Sequence, residues 1–88
     1  MYGFRFRRLA AALGVTHRNV RKVALKLRQA GKLPEDRDEA VEVVLDTIIQ
    51  ENAEEWDKAL VDPGIDWETL LELIYQIIQL VVRIILLF

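Results

Sequence analysis

Apolar residues recur along most of this chain at steps of three and four, the spacing of one face of a helix. In the middle they fall at Val41, Val44, Leu45, Ile48, Ile49, Trp56 and Leu60, while Glu42, Asp46, Glu51, Glu54, Glu55 and Asp57 take the other side. The spacing predicts an amphipathic helix beginning near Asp36, where Asp36 and Glu39 stand at capping-box distance. Val61 to Gly64 (VDPG) breaks it. Asp66 suits the N-cap of a last helix, with Ile65 and Leu70 placed as a hydrophobic staple. From Ile65 to Phe88, seventeen of 24 residues are apolar, and Thr69, Glu72, Gln76, Gln79 and Arg83 form one narrow polar stripe.

Towards the N-terminus the same reading predicts two shorter helices. The first covers Arg8 to Leu13 and stops at Gly14, a residue suited to a left-handed turn. Thr16 caps the second, Val15 and Val20 staple it, and it runs to about Ala30 before Gly31 and Pro34. Ahead of them Phe4, Arg5, Phe6 and Arg7 alternate aromatic and basic side chains, as a short strand or an arm would. There is no internal repeat and no low-complexity linker. The expected fold is all-α: one folded unit of about four helices, with a basic segment over residues 1–34 and an acidic, apolar segment over 35–88.

Composition narrows the chemistry. Eighty-eight residues suffice for one small domain, and 52% hydrophobic content exceeds what so small a core hides. The surplus is expected to meet another chain or a lipid surface. Cysteine and serine are absent, the hydroxyls are Thr16, Thr47, Thr69, Tyr2 and Tyr75, and His17 is the sole histidine. No nucleophile–base–acid set can be assembled from these, so no enzyme is expected. His17 lacks cysteine or carboxylate company, the four glycines are scattered, and Glu51, Glu54, Glu55 and Asp57 read as a solvated helix face. No metal, cofactor or small-molecule substrate is therefore expected. The absence of cysteine fits a reducing compartment, and the N-terminal arginines are not followed by the apolar stretch of a signal peptide. A cytoplasmic or virion-associated location follows. Trp56 and Trp67 flank the VDPG turn and are expected to pack together there.

Charge separates the two segments. The first 34 residues hold nine Lys or Arg and no acid; the other 54 hold all fourteen acids and three basic residues. The segments carry about +9 and about −11, an asymmetry that points to a polyanion partner for the first. In the first segment Leu9 and Leu13 form the inner face of one helix, Ala10 leaves room for a close crossing, and Val15, Val20 and Val23 pack the next. That leaves Thr16, His17, Arg18, Asn19, Arg21, Lys22 and Lys26 pointing outward, the residue types that bond phosphates and base edges.

This stretch resembles the helix-turn-helix family of DNA-binding domains. The pattern runs from Phe6 to Leu25, and residues 6–30, together with the run LAAALGVTHRNVRKVALKLRQAGKL, are most similar to the corresponding segment of winged helix-turn-helix repressors, with an acidic helix where the wing would stand. The resemblance covers about 25 residues. It implies a recognition helix in which Thr16, His17, Arg18, Arg21 and Lys22 contact bases or phosphates, and a role in transcription regulation. Asn19 and Lys26 join that set as outward polar groups, and Arg5, Arg7 and Arg8 are placed to reach an adjacent groove or the backbone. A plain helical pair with a solvated basic face is the competing reading. The acidic helix folding back on the basic pair is another way to relieve the charge.

Residues 66–88 are long enough, about 35 Å, to approach a bilayer span, but their polar stripe interrupts them. They are read as an oligomer contact through Leu70, Ile74, Ile77, Ile78, Val81, Ile84, Ile85 and Phe88, most simply a homodimer presenting two recognition helices to two half-sites. The alternatives are a structural component of a phage or virus, docked by this helix into the particle, and a small membrane-associated protein, resting on Val81 to Phe88.

Overall fold

A computed structural model describes residues 3–87, with side chains from Arg8 onward. It is all-α, with no strand among the described residues: α1 (Gly3–Ala12), α2 (His17–Gln29), α3 (Arg37–Glu51), α4 (Ala53–Val61) and α5 (Trp67–Leu86). α3 and α4 are parted by Asn52 alone, at φ −122° and ψ 30°, so the chain has four helical arms, the third of them interrupted. The cause is local. The Asn52 side chain donates to the Ile48 carbonyl at 2.9 Å, the same carbonyl its own N–H reaches at 3.1 Å. Asparagine competes in this way with the helix ladder.

The helix starts follow the sequence. Thr16 Oγ1 accepts the Asn19 N–H at 3.1 Å, Asp36 Oδ2 the Glu39 N–H at 3.2 Å, and Asp66 Oδ1 the Thr69 N–H at 2.7 Å. So do two stops. After α1, Val15 N–H bonds Ala10 O and Gly14 N–H bonds Ala11 O; after α2, Lys32 N–H bonds Leu27 O and Gly31 N–H bonds Arg28 O. Both are the paired bonds of a Schellman cap, with glycines at φ +78° and +70°. One expectation fails: α1 does not start at Arg8 but reaches back to Gly3, so the Phe–Arg alternation lies in a helix rather than a strand or arm. Four alternating residues carry too little period to decide, and a helix already closed at Gly14 extends at one bond per residue.

Asp66 also sets a pH dependence. The Thr69 side chain, and then the Thr69 N–H, hold its carboxyl below its ordinary value. A depressed folded pKa adds stability above the unfolded value and loses it as pH falls through the folded one. Asp66→Asn keeps a capping oxygen but does not titrate, so its thermal midpoint should fall less than the wild type's between neutral pH and pH about 3.

α5 supplies the largest share of the core. Its Leu73, Ile77, Val81 and Ile84 meet Val44 and Ile48 of α3, Val20, Val23 and Ala24 of α2, and Leu13 after α1. The spacing along α5 is 4, 4 and 3, one face of the helix. Trp56 and Ala59 of α4 close the same cluster. Trp56 is 6% exposed and Trp67 is 68% exposed, so the two tryptophans do not pack together at the α4–α5 corner as expected. Trp56 lies on the inner face of α4, whereas Trp67 opens α5 on its outer side.

Candidate nucleic-acid interface

The turn between α1 and α2 is held from three directions. Trp56 Nε1 donates to the Leu13 carbonyl at 3.1 Å, across 43 residues of sequence. Asn19 Nδ2 donates to the Gly14 carbonyl at 2.6 Å. Asn52 closes the third side: a Cβ on Gly14 would run into its amide group. Gly14 is thus required twice, by its left-handed backbone and by this close approach. Gly14→Ala should lower stability by about 2–3 kcal/mol, read as a fall in urea midpoint, from the left-handed backbone cost and the displaced amide together.

With its inner face fixed by Val20, Val23 and Ala24, α2 turns the rest of its circumference outward. Thr16, His17, Arg18, Arg21, Lys22 and Lys26 are exposed. Asn19 is not. It is half-buried and its amide is committed to the turn, which corrects its assignment as an outward group. Lys26 lies 3.8 Å from Glu51, both side chains well exposed. Among the described residues Arg18, Arg21 and Lys22 make no ion pair, so the acidic α3 reaches Lys26 and leaves these three. Leu25, 43% exposed, stands in their midst. Sequence reasoning overlooked it, although 100° steps from Arg18, Arg21 and Lys22 place it between them. Arg8 is exposed on α1; Arg5 and Arg7 belong to α1's first turns, and their side chains lie outside the described residues. His17 and Arg21 border a shallow groove completed by Ile84 and Leu87 of α5.

The positions assigned to an oligomer contact divide. Leu70, Ile77, Val81 and Ile84 are buried within the chain's own fold. Ile74 and Ile85 are half-buried, Ile78 is 40% exposed, and Phe88 lies outside the described residues. Trp67, Leu71, Tyr75, Leu86 and Leu87 are exposed instead. A helix that is apolar around most of its girth has no preferred face until α2 and α3 pack on it, so period alone does not choose between these sets. Among the described residues α5 alone is long and apolar enough to cross a membrane, and a third of that window is buried inside the fold.

No protein-family model, curated protein or solved structure matches the chain.

Proposed function

We propose that this protein binds duplex DNA through the outward face of α2, as a helix-turn-helix, and self-associates through α5. The observation that carries the DNA reading is the company of Arg18, Arg21 and Lys22. They are exposed on a helix without an acidic residue, and no ion pair among the described residues neutralises them. Three such cations repel one another, and a phosphate backbone relieves that repulsion while releasing its counterions. In this reading α2 lies in the major groove. Arg18, Arg21 and Lys22 contact phosphates or guanine edges, Thr16 and His17 reach polar base edges near the N-terminal end, and Leu25 meets a thymine methyl. Asn19, Asn52 and Trp56 do not touch DNA; they hold the turn that aims the helix.

A second reading, a structural component of a larger assembly such as a virus particle, draws on the apolar surface. Among the described residues, eight of the nine large hydrophobic side chains that stand exposed lie between Leu60 and Leu87.

Titration of a fluorescent duplex of random sequence at low salt separates the two. The DNA reading expects a dissociation constant of about micromolar or tighter that weakens steeply as salt rises. Absence of binding at low salt would remove it and advance the assembly reading.

A further inference from the structure

The geometry points to an antiparallel pairing of α5 with α5 of a second copy, through a face distinct from the one that builds the core. This rests on the self-association part of the reading above and not on its DNA part. The face is a ridge made by Trp67, Leu71, Tyr75, Ile78, Val82 and Leu86. Five of them are between 40% and 68% exposed, and Val82 is half-buried. Their steps are 4, 4, 3, 4 and 4, so the ridge follows one side of the helix for about 28 Å. With Leu60 and Val61 exposed at the α4–α5 corner, it offers on the order of 600–800 Å² per copy, near the ~800 Å² of a standard interface.

The occupant follows from the symmetry of the ridge. Its spacing reads the same in both directions about a point between Gln76 and Ile77. An antiparallel copy centred there sets Trp67 against Leu86, Leu71 against Val82, and Tyr75 against Ile78, leaving no ridge residue without a counterpart. A two-fold contact of this kind needs only the one patch, repeated. The charges beside the ridge agree. Its polar flank carries Glu68 and Glu72 towards the N-terminal end and Arg83 towards the C-terminal end. Antiparallel helices lay like flanks together, so Arg83 of one copy falls level with Leu70 of the other, between Glu68 and Glu72. A parallel pair would set each flank against the α3 side of its neighbour and gain nothing from these groups. The groove that His17 and Arg21 share with Ile84 and Leu87 lies across α5 from the ridge, so pairing leaves α2 uncovered.

Sedimentation over a micromolar-to-millimolar series tests this, together with Leu71→Glu/Ile78→Glu, two exposed positions whose change leaves the core intact. The expected result is a wild-type dimer, a dissociation constant raised ~100-fold or more in the variant, and an unchanged helical circular dichroism signal. A wild type that stays at 10.2 kDa throughout, or a variant as dimeric as the wild type, would overturn the proposal. Orientation is read by oxidising a mixture of Leu71→Cys and Val82→Cys chains, in a protein with no cysteine of its own. Mixed 71–82 disulfides are expected, and 71–71 disulfides would contradict antiparallel pairing. A monomer that co-sediments with phosphatidylcholine vesicles would assign the ridge to lipid instead. Duplex affinity of a single α2, measured on the Leu71→Glu/Ile78→Glu chain, should persist; its loss in the wild type as well would fail the DNA reading and leave the pairing standing.

Discussion

Trp56→Ala is expected to lower the stability of the folded chain by about 3–5 kcal/mol. A small domain of this length holds only about 4–13 kcal/mol in total. Trp56 is 6% exposed inside the cluster that joins α2, α3, α4 and α5, so truncation opens a cavity no neighbour fills without moving. It also strips the Leu13 carbonyl of the indole donor, 3.1 Å away, at the point where α1 turns into α2. Trp56→Phe separates the two losses. It keeps most of the ring volume and forfeits the hydrogen bond, for a cost of about 1–3 kcal/mol. Urea unfolding followed by circular dichroism measures both against the wild type, at one fixed protein concentration. Equal midpoints for Trp56→Ala and the wild type would mean that α4 does not anchor the turn.

The second large effect falls on function. Arg21→Glu with Lys22→Glu should weaken duplex binding by ~100-fold or more while leaving the circular dichroism spectrum and the unfolding midpoint in place. Both side chains are exposed and neither forms an ion pair among the described residues, so the fold does not depend on them. The reversal replaces two attractions for phosphate with two repulsions on adjacent positions of the outward face. Lys26→Glu is the companion. It sets two acids facing across the former pair with Glu51, an exposed pair of small worth, and it stands at the edge of the face rather than its middle. Its effect on binding should be clearly smaller. Equal losses from the two variants would indicate a general response to net charge and not a defined surface.

What was legible in the sequence was what neighbours in the chain decide. Thr16, Asp36 and Asp66 cap helices within three residues of themselves, and Gly14 and Gly31 end them by a backbone geometry that other residues reach with strain. The basic outward side of α2 was legible for the same reason, because the inward valines fix its phase. Groups decided at long range were not. The partner of the Trp56 indole lies 43 residues away, and nothing near Trp56 announces it. The face of α5 that the fold itself covers was not legible either: Leu70, Ile77, Val81 and Ile84 are buried in the chain, and a helix apolar over most of its surface is oriented only by what packs on it. The bond of Asn19, by contrast, is set by near neighbours. An asparagine three residues beyond a capping threonine and five beyond a turn glycine is placed to bond the glycine's carbonyl, and it does. The start of α1 lay between these cases, in a stretch whose alternation suits a strand and whose end, at Gly14, belongs to a helix.

In the proposed function, Arg18, Arg21 and Lys22 meet a phosphate backbone. The measurement that addresses it directly is the slope of log affinity against log salt for duplex binding, in the wild type and in the three single alanine variants. Each removed phosphate contact should make the slope shallower by ~0.9, and the wild type should lose on the order of 10²–10³ in affinity between about 50 and 200 mM salt if about five contacts form. Slopes unchanged in all three variants, or no duplex binding at the lowest salt, would contradict the account.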